Sequence, residues 1–296
     1  MPSDQFTDLA NSVGEFARAL RGLLAAYDFP ADGSPAAMEA EDEPYAGEWG
    51  AHPGRDLHVT IRLATWSCAD HLAALSVVLR ERRLIPPLYT LARGAAEAAA
   101  IACYLAERGI SPLERVRRNM NSNLQALTEE VNMLNRFTRH DAVAAVERHK
   151  AQIGKIEREG RRCELRFTRS KGYRAGYLGD EPPSAMKMIG MIASRVPEFG
   201  TSSQQLLSSV AHSQLHGLTR FIVPNGKPGP APDKFTADLT ASAPDIALHL
   251  LVAPQCASTL AAQLAWFMGW KSDEAAAAIT SMLHAWGRVA GIPIAR

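Results

Sequence analysis

Between residues 88 and 106 the chain offers a helix with no wet face. Tyr89, Leu91, Ala92, Ala95, Ala96, Ala98, Ala99, Ala100, Ile101, Ala102 and Cys103 put apolar or small side chains all round it, and a helix hydrophobic on every side belongs inside a bundle. The rest of the chain supplies its cover. Apolar residues recur at helical spacing in nearly every segment, alternating strand-like runs are almost absent, and 49 of the 296 residues are alanine. The expected fold is all-α, a multi-helix bundle with long loops and little or no β-structure, read as a single helical domain over 1–296.

The spacing predicts helices over 6–27, 56–83 and 86–107, the last opened by Pro86 and Pro87 and stopped by Gly109. Ser111 and Glu114 form a capping-box start for a helix over 111–137. Further helices are expected over 141–159, 184–196, 202–222, 244–270 (kinked at Pro254) and 272–290, with a Pro/Gly-rich loop over 224–232. Two excursions interrupt the bundle. Residues 28–54 carry four prolines and seven acidic side chains and read as an acidic loop or linker. Residues 160–183 read as a basic loop.

The start lacks the basic and apolar regions of a secretory signal, and no apolar run is long enough to cross a bilayer, so the protein is expected to be cytoplasmic with no membrane partner. The 246–270 stretch is the most lipid-like, but His249, Pro254, Gln255 and Gln263 mark it as a buried helix. Cys68, Cys103, Cys163 and Cys256 are widely spaced, which indicates neither zinc nor a disulfide framework. No cofactor signature is present, and none is expected.

From Lys155 to Arg174, eight basic residues against three acidic ones are interleaved with Phe167 and Tyr173. Such a segment can hold phosphates and stack a base, can lid a small anionic ligand, or can dock on the acidic 28–54 segment. The net charge of +1 argues against long-range attraction to nucleic acid, which is therefore not the favoured partner.

Two helices carry the chemistry. In the apolar one the only charges are Arg93 and Glu97, four apart and in line with Tyr89 and Tyr104. They read either as a structural pair or as the lining of an internal pocket, with Arg93 holding an anionic group or orienting Glu97 for acid–base work. The second, residues 200–219, has no charged side chain but carries Ser208, Ser209, His212 and His216. Helical spacing puts Ser208, His212 and His216 on one side. Two imidazoles four apart suit a metal, but no third ligand is evident and no metal is expected. A neutral His212 bonded to Ser208, as a core network or a general base, is the preferred reading. There is no G-x-S-x-G elbow for a serine hydrolase.

Asp70-His71-Leu72, Tyr89-x-x-x-Arg93-x-x-x-Glu97 with Tyr104-Leu105, Ser111-x-x-Glu114-Arg115 and Leu207-Ser208-x-x-x-His212-Ser213 resemble a group of uncharacterised bacterial helical proteins, itself distantly similar to HEPN domains. The resemblance covers roughly residues 60–220. HEPN ribonucleases use an Arg with a His a few residues later on one helix, whereas here Ser208 stands four before His212 and no Arg lies in that helix before Arg220. The resemblance implies that Arg93, Glu97, Ser208 and His212 converge.

The leading expectation is a protein that binds or transforms a small polar or anionic molecule, with His212, Glu97 and Ser208 as the reactive groups and Arg93, His71, Tyr89 and His216 as binding groups. An HEPN-like RNA-binding or ribonuclease module of a defence or toxin system is the alternative, and a structural or partner-binding bundle is the third. The cluster Trp266, Phe267, Met268 and Trp270 before an alanine-rich helix gives the motive for expecting a homodimer.

Overall fold

The computed structural model describes residues 4–41, 52–82, 84–169, 175–193, 200–228 and 235–292, with backbone only for 200–204, 224–228 and 235–239. Twelve α-helices make up most of the described residues: α1 (Gln5–Ala26), α2 (Pro35–Glu41), α3 (Pro53–Glu81), α4 (Ile85–Leu105), α5 (Pro112–Leu134), α6 (His140–Arg162), α7 (Ala185–Ala193), α8 (Gly200–Ala211), α9 (Leu215–Leu218), α10 (Ala243–Leu250), α11 (Val252–Phe267) and α12 (Asp273–Ala290). Two short antiparallel hairpins accompany them, β1 (Phe167–Thr168) with β2 (Tyr177–Leu178) and β3 (Ile222–Pro228) with β4 (Phe235–Leu239). The fold is an all-α multi-helix bundle.

The apolar helix α4 lies at its centre. Ala92, Ala95, Ala96, Ala99 and Ala102 are fully buried, and with so little side chain between backbones α3, α7, α8 and α11 all pack against it. Helix α3 in turn packs on α1, and α1 on α12. Beside this main core, α5, α6 and the β1–β2 hairpin enclose a smaller one built on Val116, Met120, Leu124, Ile156 and Leu178.

The predicted boundaries hold where a cap is written in the chain. Ser111 Oγ accepts from Glu114 N at 3.2 Å, and Ser272 Oγ accepts from Ala275 N at 3.2 Å. Four expectations change. The 28–54 segment is not all loop: Pro35 opens α2 and Pro53 opens α3, because proline suits the first helical turn. Its residues 42–51 lie outside the described residues, as do Lys171, Tyr173 and Arg174 of the basic segment, residues 194–196 of the predicted 184–196 helix, and 229–232 of the Pro/Gly-rich loop. The rest of that loop belongs to the β3–β4 hairpin. The helix expected over 244–270 breaks at Leu251, three residues before Pro254, with a 43° bend. A proline ring clashes with the carbonyl four residues earlier, so the chain turns ahead of it.

The described part of the basic 160–183 segment is not a free loop, since Asn121 of α5 holds Leu178 from both directions. Leu178 N donates to Asn121 Oδ1 at 2.8 Å and Asn121 Nδ2 donates to Leu178 O at 3.1 Å. Its described charges are partly neutralised locally, Arg162 by Glu159 at 2.9 Å and Arg161 by Glu157. The acidic segment docks elsewhere, through Glu39 on Arg115 at 3.1 Å.

Arg115 is 2% exposed. Its Nη1 donates to Leu105 O and Glu107 O, its Nη2 to Ile110 O, and its guanidinium lies 4.5 Å from the centre of the Phe267 ring. One side chain thus joins α2, the end of α4, the start of α5 and the end of α11. Phe267, Met268 and Trp270 are buried in the chain's own core and Trp266 packs against it, so the apolar cluster that motivated a homodimer is already covered. No single described helix is long and apolar enough to cross a membrane, although α10 and α11 pass that test together as a bent pair. Both are lined with buried residues.

Arg115→Met removes the guanidinium and strands the half-buried Glu39 carboxylate together with three carbonyls. The expected loss is about 3 to 5 kcal/mol, read as a lower urea midpoint. Glu39→Gln, which keeps an acceptor for Arg115, should cost clearly less.

Candidate functional site

The helix expected over 202–222 ends early. Gln214 N donates to Ser209 O at 2.8 Å and Ser213 N to Val210 O at 2.9 Å, the paired bonds that close a helix when the residue between takes a left-handed conformation. Ser213 does so, with φ 53°. Glycine usually marks this closure, and a serine there hides it from the sequence. His212 therefore stands in the turn directly after α8, while His216 sits exposed on the separate helix α9. The single Ser208, His212, His216 stripe does not form. Gly217 brings α9 back onto α8 so closely that a Cβ there would lie 2.5 Å from Ser209 Oγ.

Arg93 meets His212 at this helix end. Its Nε donates to Glu97 Oε1 at 2.8 Å, and its Nη1 donates to His212 Nε2 at 2.5 Å, across 119 positions of chain. A guanidinium has only donors, so Nε2 must be the acceptor in this bond, which leaves the ring proton on Nδ1. The position suits a cation, because carbonyls at a helix C-terminus carry partial negative charge. The pair is not deeply buried: the Arg93 and Glu97 side chains are 19% and 28% exposed, and His212 is exposed.

His71 of α3 lies against the same helix. Its ring covers Gly94, where an added Cβ would fall 2.7 Å from Cε1 and Nε2. The absence of a side chain at 94 lets the imidazole lie on α4. Ser208 is half-buried, and its link to His212 is the backbone bond His212 N to Ser208 O at 3.0 Å. The more buried hydroxyl is that of Ser209, which donates to Leu206 O at 3.0 Å.

The other two members of the α4 stripe face different neighbours. Tyr89 is fully buried, its OH 2.8 Å from His249 Nδ1 and its ring 5.2 Å from that of Phe221. Burial raises the Tyr89 hydroxyl, and the Asp245 carboxylate adds to the shift. Burial also lowers His249, an effect that Arg220 reinforces and Asp245 opposes. Tyr104 lies under the Arg118 guanidinium, 4.0 Å from the ring centre. Arg118 belongs to a network in which Glu114 takes two bonds from Arg117 at 2.5 Å and one from Arg118 at 2.7 Å. Burial raises the Glu114 carboxyl, but the two arginines outweigh it and the net shift is downward.

The structure therefore gathers Arg93, Glu97 and His212, sets His71 against α4 at Gly94, leaves Ser208 without a side-chain bond to His212, and sends Tyr89 and His216 elsewhere. The site is an open, half-buried surface and not the expected enclosed pocket. Two cavities, of about 40 and 380 Å³, are lined by other residues. Among the described residues no group of three or more His, Cys, Asp or Glu is arranged to hold a metal. Sequence reasoning missed His249, whose apolar helix gave no sign that it would meet Tyr89, and Gly94, whose only signal is a glycine in the middle of a helix. The chain matches no known family model, no curated protein and no solved structure.

The depressed His249 predicts a pH dependence. As pH falls below about 6.5, the unfolded chain takes up the proton before the folded one, so His249 contributes stability above that value and loses it as pH falls towards its folded value. The wild-type urea midpoint should drop between pH 7 and 5 more steeply than that of His249→Gln. Equal slopes would remove His249 as the cause.

Proposed function

We propose that the protein binds a small anionic molecule where α4 and the end of α8 meet, with Arg93 as the anion-holding group. The observation that carries this reading is the state of the guanidinium. Glu97 fixes Nε and His212 fixes Nη1, while Nη2 has no hydrogen-bond partner among the described residues. An oriented, partly desolvated arginine with donors uncommitted is suited to a phosphate or carboxylate. Arrival of an anion competes with His212 for Nη1 and frees Nε2, a lone pair able to take a proton from the bound molecule or an adjacent water. Glu97 holds the guanidinium plane. In this reading the group works as a binding site with acid–base capacity at His212.

A second reading, RNA cleavage of the HEPN-like kind, draws support from the same contact, because an arginine and a histidine come together although they lie on different helices. The local pairing of the described basic residues of α6 weighs against it. Incubation with single-stranded RNA separates the two: cleavage abolished by His212→Ala would favour the ribonuclease.

For the leading reading the probe is inorganic phosphate followed by thermal melt. At a phosphate concentration 100 times the dissociation constant, the wild type should gain about 2.7 kcal/mol. Arg93→Met should lose the gain, and Glu97→Leu should retain it. A half-exposed ion pair contributes at most about 1 kcal/mol, so Arg93→Met with Glu97→Leu should fold well and still fail to respond. A folded double variant with an undiminished phosphate response would sink the proposal.

A further inference from the structure

Further along α4, towards its C-terminal end, a cavity of about 40 Å³ lies between α4, α7 and α11. It exceeds the roughly 10 to 15 Å³ that one water needs and falls far short of the roughly 300 Å³ of a small-molecule pocket. An ion or one or two waters fit it; an organic ligand does not.

The chemistry of the wall selects among ions. Cys103 of α4 and Met188 and Met191 of α7 line the cavity together. Met188 is partly buried against the main core, and Met191, three residues later on the same helix, is 46% exposed. One thiol and two thioethers form a soft donor set, which prefers monovalent copper to zinc, iron, magnesium or calcium. A second observation is independent of the sulfurs. Gln263 of α11, only 8% exposed, lines the same cavity, and its Oε1 has no hydrogen-bond partner. A buried acceptor left unmet is costly, and a cation or a water held by one would satisfy it.

We propose that Cys103, Met188 and Met191 form a three-sulfur site for one Cu(I) ion, with the Gln263 amide oxygen facing it. Binding replaces the Cys103 S–H proton with the metal: the S–H bond breaks, the Cu–S bond forms, and the proton leaves to solvent. Copper stays monovalent throughout, so no oxidant or reductant takes part. The thiolate and the ion cancel in charge, so occupation adds no net charge to a wall that also carries Tyr104, Glu107, Thr259 and Gln263. Occupation clamps the nine-residue helix α7 onto α4. The site shares no residue with the Arg93 group, and either reading can fail without the other.

The test uses the full chain carrying Cys163→Ser, since Cys163 is the one cysteine outside the buried class and a source of adventitious binding. Anaerobic titration with Cu(I) against a chromophoric chelator should give one ion per chain. Met188→Leu with Met191→Leu, a swap that keeps side-chain volume, should weaken binding about 100-fold, and Cys103→Ala should weaken it comparably. Ag(I), a redox-inert stand-in, should shift two of the nine methionine methyl signals in the wild-type chain, assigned as those missing from the two single Leu variants. The wild-type spectrum decides even if a variant fails to fold. Unchanged affinity in a folded double-Leu variant, or Ag(I) shifts confined to other methionines, would overturn the site.

Discussion

The alanine surface of α4 is the constraint on which the rest of the molecule depends. A bundle can surround one helix only if its neighbours approach on all sides, and side chains at Ala92, Ala95, Ala96, Ala99 and Ala102 add almost nothing to the backbone radius. Larger residues at these positions would force the surrounding helices apart or require strained rotamers. The same close approach explains Gly94: α3 comes near enough that the His71 ring occupies the volume of a missing Cβ. Crowding by small residues creates the core and also brings polar groups from distant parts of the chain onto one helix.

Those polar groups show how a buried helix carries charge and hydroxyls. Arg93 and Tyr89, one turn apart, each meet a histidine from the later half of the chain, His212 and His249. A neutral imidazole is well matched to this role, since it satisfies a donor without adding a second charge in a poorly hydrated place. The two contacts differ in what they leave available. Tyr89 and His249 are enclosed with Phe221, whereas Arg93 and His212 reach solvent. In the proposed reading the second pair is the one that takes the ligand.

Arg115 solves a different problem at the far end of the same helix. The chain must turn between α4 and α5, and the carbonyls of Leu105, Glu107 and Ile110 would otherwise lie poorly satisfied against α11. A single guanidinium answers them, faces the Phe267 ring and holds Glu39. Its planar fork of donors makes this joint possible, which a lysine's point charge could not reproduce. The smaller core of α5, α6 and the β1–β2 hairpin begins from this joint, so the acidic and basic segments are held at separate places and do not meet through their described residues.

The sequence by itself determined the all-α class, the central position of α4, the prolines and serines that open helices, and the Arg93–Glu97 pair, because each rests on spacing along a few turns of chain. It also marked His212 as worth finding near that pair. It did not reveal the end of α8 just before His212, because Ser213 adopts a left-handed conformation that glycine usually signals. Nor did it separate Tyr89 and Tyr104 from Arg93, since helical phase says which side a residue occupies and not which neighbour arrives there. The Arg93–His212 bond spans 119 positions, and Cys103 shares a cavity with Met188 and Met191 from a helix some eighty positions later. Contacts of that range follow from how helices pack, a balance of shape and burial over the whole bundle that no local pattern encodes, and only the tertiary structure decided them.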